Sequence, residues 1–515
     1  MQLTTTERSA IPQDHSAKYW RATLFCVLAL LCAAIVFLAL KWPFTRGKII
    51  SDLEGAVHGQ VEIGTFHHTF FPPGCVAEDV RLHSDQFVAP TSVVTVQRLI
   101  FRTSYGKLLG KQIELLEVQG ASAIIPPSGS ASHDSSRKQT SKSNVAKAQI
   151  ERFEVNRASL QVERSGGQAP LTFQIGQFVL LHSNGSSDLP FTLSLRNPDP
   201  PGDVTANGSI HWNREQPSQS AISGRYAFNH AQLGTMSGIG GVLSSTGKFQ
   251  GPIDQIDIQG TVKVPDFEVK KAGHPMPLTV AFTAAVDTKK GTVELKPATA
   301  QLGQSIVDSS VDIGEAANHA GEKTDADLLV NSGRIQDFLY LLLQAPQPPM
   351  TGVFSFQGKA AIPPGREPFQ QKVQLQGDFG IGGGKFTNPQ TQHNIENLSE
   401  KSEGDPKGPP ESVVSDLRGH VELKDGTFTF SSLSFKAPGG VARLHGTYNL
   451  LTKQVDLRGK IFTEAKLSQE TTGVKSFLLK IIGPFLKKNK HSGGAIIPVH
   501  IVGTYPHPKY QMDPI

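Results

Sequence analysis

The sequence predicts a mainly β protein: one N-terminal transmembrane helix precedes a long body of antiparallel strands with a few short helices. Three observations predict this fold class. An uncharged, apolar run occupies residues 22–40. Beyond it, apolar and polar residues alternate in units of roughly 8–12 residues, the spacing expected of an all-β array. Glycine and proline, at 50 and 34 residues, are numerous enough to supply many turns and strand ends.

Composition narrows the class of protein. The 515 residues exceed the roughly 250–300 at which one hydrophobic core stops growing, so we expect several modules or one elongated, repetitive body. A hydrophobic content of 38% fits an ordered body rather than a polytopic membrane protein. The 50 Lys and Arg residues barely outnumber the 45 Asp and Glu residues. This balance indicates an ordinary mixed surface and no nucleic-acid partner.

The apolar run predicts a single membrane span. A helix over residues 22–40 would be about 28 Å long, close to a hydrocarbon core of about 30 Å. Arg21 and Lys41 flank it, and Trp20 and Trp42 lie at its two edges, as interfacial residues do. The alternative is a cleaved signal peptide. That reading needs a shorter apolar region and a small-x-small cleavage site, and neither is found before Lys41.

Orientation and redox compartment are less constrained. Basic residues are balanced across the span, so the positive-inside rule does not decide its direction. The short polar stretch 1–21 is compatible with a cytoplasmic tail and an exported body. Cys75 is the one cysteine outside the span, because Cys26 and Cys32 lie within it. The body therefore has no internal disulfide, and cysteine usage does not indicate the compartment.

The first part of the body, residues 44–126, reads as a β module. A short helix is predicted around Lys48–Leu53. Two strands then flank the turn at Pro72-Pro73-Gly74, and alternation continues to Ile125. Residues 127–147 are rich in Ser and Lys and lack any apolar face, which predicts a disordered loop. A basic attraction to anionic lipid is the alternative reading of that loop.

Strands resume in a middle β-repeat region, 148–345, and in a C-terminal β module, 346–515. The clearest unit is 419–435, in which Asp425-Gly426 supplies a hairpin turn. Its strands place apolar residues on one face, with a change of phase around Ser431-Ser432. Such a face is either buried against a second sheet or lines the inside of a curled one, and periodicity alone does not distinguish these. The candidate lining residues are Val421, Leu423, Phe428, Phe430, Leu433 and Phe435.

Two helices interrupt the strands. The first is predicted over Ile335–Leu343. The second, 473–488, is amphipathic, with lysines beside or beyond its apolar stripe. It either caps the apolar end of the sheet or lies on anionic lipid as an interfacial helix. The stripe consists of Val474, Phe477, Leu478, Ile481, Ile482, Phe485 and Leu486.

The sequence contains no catalytic or metal-binding constellation. Adjacent His67 and His68 point to opposite faces of a strand and cannot chelate one ion together. The glycine-lysine stretches at 247–248 and 382–385 lack the remaining residues of a phosphate loop and read as turns or bulges. We therefore expect a protein that is not an enzyme and that has no cofactor and no metal.

Several segments resemble the AsmA-like family, the relatives of AsmA and TamB in the envelope of Gram-negative bacteria. The similarity is strongest at the two ends of the chain and thin in the middle, and its motifs are diffuse β-turn signatures. The segments are Leu53–Gly64 with Phe70-Phe71-Pro72, Glu78–Leu82, Ser332–Leu339 with Met350-Thr351-Gly352, Gly377–Ile381 with Gly384–Asn388 and Asn397-Leu398-Ser399, Asp425–Phe428 with Gly446–Leu450, and Ile497–Val499 with Gly503–Pro508.

This resemblance implies a fold and a function. The fold is an elongated, curled antiparallel sheet that forms an open, taco-like groove. The implied location is the bacterial inner membrane, with a single pass and the C-terminal body in the periplasm. The implied role is phospholipid transport along the groove in support of outer-membrane biogenesis, with outer-membrane or periplasmic proteins as further partners. The alternative is a structural or assembly factor for outer-membrane proteins that acts through protein contacts.

Overall fold

The fold is taken from a computed structural model of the chain. It describes residues 42–57, 59–84, 93–110, 112–125, 149–163, 169–182, 187–213, 220–236, 238–270, 273–288, 290–316, 321–365, 367–389, 392, 415–437, 440–463, 496–504 and 507–511. The predicted tail 1–21, the span 22–40, the Ser/Lys-rich loop 127–147 and the amphipathic helix 473–488 lie outside these residues. No helix among the described residues, which begin at Trp42, is long and apolar enough to cross a membrane.

Strands dominate the part of the chain that the structure describes, and the helices there are few and short. The helices are α1 (Arg46–Val57), α2 (Tyr105–Leu109), α3 (Ile335–Leu342) and α4 (Phe369–Lys372), with a 3₁₀ turn at Leu233–Thr235. The strands are β1 (Gly59–Thr69), β2 (Gly74–Ser84), β3 (Val93–Arg102), β4 (Gln112–Ile125), β5 (Gln149–Val162), β6 (Leu171–Leu181), β7 (Asp188–Pro198), β8 (Pro201–His211), β9 (Ala221–Gln232), β10 (Ile239–Gly240), β11 (Val242–Pro252), β12 (Gln255–Val269), β13 (Met276–Asp287), β14 (Thr292–Leu302), β15 (Ser305–Glu315), β16 (Glu322–Arg334), β17 (Met350–Ile362), β18 (Gln374–Phe386), β19 (Ser415–Lys424), β20 (Thr427–Ala437), β21 (Gly440–Asn449), β22 (Gln454–Thr463), β23 (Ile496–Thr504) and β24 (His507–Gln511).

All 24 strands belong to one sheet. Neighbours in the chain pair antiparallel, except that β4 and β5 pair in parallel and the two-residue β10 pairs with β12, leaving β9 beside β11. The sheet curls without closing, and β1 and β24 are its edges. The prediction of a mainly β, curled sheet with few short helices is confirmed. The described strands form this one sheet and not a sandwich of two separate sheets.

The local predictions have mixed outcomes. The helix expected from residue 335 is α3, and the Asp425-Gly426 turn has the two positive φ angles, 50° and 70°, of a tight hairpin. Not every glycine marks a turn or a strand end, because Gly208, Gly247 and Gly260 lie inside strands. Most strands have lengths within the predicted units of roughly 8–12 residues, and the described residues hold 24 strands.

The helices cover parts of one face of the sheet. Helix α1 packs on β1 and β2, where Ile49 contributes to a buried cluster that also contains Trp42 and Phe44; we call it the N-terminal cluster. Helix α3 places Phe338 against Phe354 of β17, with ring centroids 4.9 Å apart. Three further clusters of buried residues surround α3 and join strands β12–β20. The face that carries these helices is the inner, concave face.

Candidate functional site: an apolar trough

One residue from each of 22 strands, β1–β9 and β11–β23, forms an apolar row across the inner face. Each member is the register partner of the next, so the row runs perpendicular to the strands along the whole curled sheet. No member is charged, and Ser309 and the Tyr226 hydroxyl are its polar groups. The row consists of Phe66, Ala77, Leu99, Val118, Val155, Phe178, Leu193, Ala206, Tyr226, Gly247, Gly260, Phe282, Ala298, Ser309, Leu328, Gly358, Gly377, Val421, Phe430, Gly446, Leu457 and Ile501.

The outer face has the opposite character. The neighbouring register row there includes Arg225, Lys248 and Gln259, one residue along each strand from Tyr226, Gly247 and Gly260. Cross-strand ion pairs also lie on this face, such as Lys296 with Asp312, whose Nζ and Oδ1 atoms are 2.9 Å apart. Because side chains alternate between the faces of a strand, a polar outside and an apolar inside follow from the alternation in the sequence.

Aromatic rings lie flat over pairs of glycines on the inner face. A Cβ added to Gly358 or to Gly377 would lie 2.7 Å from Cζ of Phe356. A Cβ on Gly224, which is paired with Gly208, would lie 2.6 Å from Cζ of Phe249. These rings occupy the space that a side chain would need, as in the covering of strand glycines by aromatic neighbours. The wall is thereby lined by aromatic rings, and at Phe356 these rings pack in a buried cluster with Phe338 of α3.

The six predicted lining residues lie together on this inner face. Val421 pairs with Phe430 and Leu423 with Phe428. The phase change predicted near Ser431-Ser432 is a register shift between β19 and β20, with a second between β20 and β21. After it, Leu433 and Phe435 return to the inner face opposite Gly419 and Leu417. Val421 and Leu423 are buried, and the other four are half-buried.

The inner face is filled at some places and uncovered at others. Under α1, inner residues such as Ala77 and Val80 are fully buried. Along β5–β9, by contrast, the row members Val155, Phe178 and Leu193 are half-buried. None of the buried clusters formed by the described residues lies on β5–β9. This section is an apolar trough whose surface remains partly accessible.

The two rims of the trough, formed by opposite strand ends, meet near its middle. Lys270 follows the end of β12, whereas α4 connects β17 and β18 at the opposite ends of their strands. The side-chain amide of Gln370 in α4 donates a hydrogen bond to the carbonyl oxygen of Lys270. A Cβ on Gly238 would lie 2.8 Å from Cβ of Phe369. We call this contact the rim bridge; it closes the trough over at this point.

A cavity of about 570 Å³ lies beside the rim bridge and is lined by both rims. Val269, Leu342 and Pro346 contribute from one rim, and Tyr448 and Leu450 from the other. Lys453, Gln370 and Asn388 add polar atoms. Tyr448 is the register partner of Phe428, so the cavity borders the predicted lining residues. An apolar lining with a few polar groups is the composition of a small-molecule site.

A charged cluster fixes the parallel junction of β4 and β5. The ammonium of Lys107 in α2 contacts Glu151 at 2.8 Å and Glu114 at 2.9 Å. Its hydrogen bonds to Glu151 and then Glu114 raise the pKa of Lys107, and the hydrogen bond from Lys107 lowers the pKa of Glu114. All three groups are partly exposed to solvent, so the cluster orients α2 rather than adding much stability.

The described residues contain no group of three or more His, Cys, Asp or Glu side chains placed to hold a metal ion. Comparison with family models, curated proteins and solved structures found no match to this chain. The resemblance to the AsmA-like family therefore stays a prediction. The continuous apolar row and its partly accessible section on β5–β9 are the features that the geometry offers for function.

Proposed function

We propose that the protein is a membrane-anchored envelope protein that binds phospholipid acyl chains in the apolar trough and moves them along it. The observation that supports this most directly is the uncharged row that crosses the sheet from β1 to β23. Burial of an acyl chain on this surface is favourable by about 0.8 kcal/mol of transfer free energy for each CH₂ group removed from water. The headgroup of the lipid stays at the rims. The proposed location is the bacterial inner membrane, with the body in the periplasm.

A second function is favoured by a different observation. The N-terminal cluster and the clusters around α3 show that parts of the inner face pack against the protein itself. If such packing covered the whole face, the protein would act as a structural or assembly factor through protein contacts. Along β5–β9 the described residues form no such cluster on this face, and this argues for lipid.

A photocrosslinking experiment separates these functions. The full chain is expressed in membranes with p-benzoylphenylalanine in place of Phe430. We expect this protein to form phospholipid adducts after irradiation. Phe430 is half-buried on the inner face, and its neighbour Thr429 is exposed on the outer face of the same strand. The same label in place of Thr429 is therefore the matched control. Mass spectrometry of the purified chain detects the adducts.

The proposal fails if Phe430 and Thr429 give equal amounts of lipid adduct, because the signal would then report membrane proximity alone. It also fails if Phe430 crosslinks only within the chain or to another protein. That outcome would favour the assembly factor.

A further inference from the structure

Three aromatic side chains are exposed together at the N-terminal end of the sheet. Phe70 and Phe71 lie in the turn between β1 and β2 and are 43% and 87% exposed, and Tyr105 at the start of α2 is 39% exposed. The Phe71 and Tyr105 rings are 5.8 Å apart, and the Tyr105 hydroxyl donates a hydrogen bond to the carbonyl oxygen of Phe70 at 2.8 Å. We call this group the aromatic turn.

Trp42, the first described residue, connects the aromatic turn to the residues that precede it in the sequence. Its ring lies 4.8 Å from that of Phe70. Although its position in the sequence predicts an interfacial residue, Trp42 is 6% exposed and belongs to the N-terminal cluster. The uncharged run ends at Leu40, two residues earlier and therefore no more than about 7 Å away along the chain. The aromatic turn thus lies beside the end of that run.

A single exposed apolar residue is ordinary, but contacting exposed aromatic rings mark an interaction surface. Rings with an apolar body and a polar tip, such as Tyr105, are enriched where a protein meets the boundary between membrane and water. A bilayer entered by residues 22–40 would present this boundary within a few residues of Trp42.

We infer that the aromatic turn inserts into the membrane–water interface as a second contact, fixing the N-terminal end of the trough against the bilayer. The inference rests on the membrane attachment in the proposed function. A span alone would not set the orientation of the body relative to the bilayer. A second contact at Phe71 holds one end of the trough next to the lipid that it is proposed to receive.

The cysteines allow a direct test on the full chain in phosphatidylethanolamine and phosphatidylglycerol vesicles. Cys75 is fully buried, and burial raises the pKa of its thiol to about 12, so it resists labelling in the folded protein. In a Cys26→Ser and Cys32→Ser background, Phe71→Cys carries the environment-sensitive fluorophore NBD. Ile306→Cys is the matched control, because Ile306 is also exposed, at 55%, but lies on β15.

We expect NBD at position 71 to shift to shorter wavelength in vesicles, to be quenched by lipid with a shallow doxyl group, and to be protected from iodide. At position 306 we expect none of these effects. Phe71 is exposed, so its replacement should leave folding intact, and continued resistance of Cys75 to labelling verifies this.

A third protein, labelled at Cys32 with Cys26 replaced by serine and Phe71 retained, reports insertion of the span itself. If NBD at Cys32 is quenched by lipid with a doxyl group deep in its acyl chain, but NBD at position 71 is open to iodide, the second contact is wrong while the membrane anchor stands. If neither position is quenched, the anchor fails as well. Equal quenching at positions 71 and 306 would overturn the inference too, because the contact would not be specific to the aromatic turn.

Discussion

At the scale of single residues, glycines shape the wall of the trough as much as apolar side chains do. Phe356 covers both Gly358 and Gly377 on neighbouring strands, and either glycine would clash with that ring if it gained a Cβ. Glycine inside a strand ordinarily weakens it, and close approach of another group is the usual reason for its presence. These glycines therefore let large rings lie close to the sheet, where Phe356 packs in the cluster around α3.

The clash can be measured with Gly377→Ala. The new Cβ would lie 2.5 Å from the carbonyl oxygen of Gln357 and 2.7 Å from Cζ of Phe356. Because a backbone atom and a packed ring must both shift, we expect the apparent free energy of unfolding to fall by about 1–3 kcal/mol. Denaturation in guanidinium, followed by circular dichroism, checks this.

The matched control is Gly382→Ala in the same strand. A Cβ there would have Asp416 Oδ1 as its nearest neighbour, at 4.0 Å. We expect a change within about 0.5 kcal/mol. Equal losses at positions 377 and 382 would show that strand glycines matter for their backbone alone and that the covering rings do not.

At the scale of elements, α3 is attached to the sheet by a buried polar contact as well as by its apolar side. Asp337 is 9% exposed. Its carboxylate accepts hydrogen bonds from the Ser305 hydroxyl at 2.8 Å and from the backbone N–H of Gln304 at 3.0 Å. Ser305 in turn accepts a hydrogen bond from the Arg334 amide at 2.8 Å. This chain of bonds sets the position from which Phe338 enters the trough.

We expect Asp337→Ala to lower the apparent free energy of unfolding by about 1–3 kcal/mol, because it leaves buried donors without an acceptor. Amide hydrogen exchange should also speed up in α3 before it does in β17. Asp325→Ala is the control: Asp325 is exposed and pairs with Lys323 at 2.9 Å on the outer face, so we expect a change near zero. If exchange in α3 were unaltered by Asp337→Ala, the apolar contacts would suffice to hold the helix.

How far these elements could be predicted depends on how local their causes are. Alternation indicated the strands, the Asp425-Gly426 pair indicated its hairpin, and the apolar pattern from Ile335 indicated α3. All three depend on neighbours within a few residues. The left-handed backbone conformation of Asp79, with φ of 53°, was not predicted. It places Ala77 and Val80, three residues apart, on the same face.

The parallel pairing of β4 with β5 was also missed, because the intervening stretch carries no apolar pattern from which a crossover could be read.

At the scale of the whole molecule, alternation predicted one apolar face but not what covers it. The rim bridge joins Gln370 to Lys270, 100 residues apart, and no local signal in either segment indicates that contact. The site was likewise predicted in part: the six lining residues lie on the inner face, but the cavity beside the rim bridge draws its lining from segments far apart in the chain.

The rim bridge raises the question of whether the trough is one path or two compartments. Ala206 of β8 lies in the row on one side of the bridge, and Phe430 of β20 lies in the row on the other. A carboxylate facing an apolar surface opposes passage of an acyl chain, because a charge is costly to remove from water. Ala206→Asp and Phe430→Asp therefore place one barrier on each side.

If lipid travels along the whole trough, it must pass both barriers in series. We then expect either variant alone to abolish transfer of fluorescent phospholipid from vesicles carrying the full chain to acceptor vesicles, and the double variant to be no worse than either. Thr205→Asp and Thr429→Asp add the same charge one residue away on the outer face, and we expect them to transfer at the unaltered rate. Two separate compartments predict a different result: each barrier would remove only part of the lipid bound to the purified chain, and the two losses would add. Additive losses of bound lipid would show that the rim bridge separates two binding sites. Complete loss of transfer in either variant would show that the rim bridge covers one continuous path.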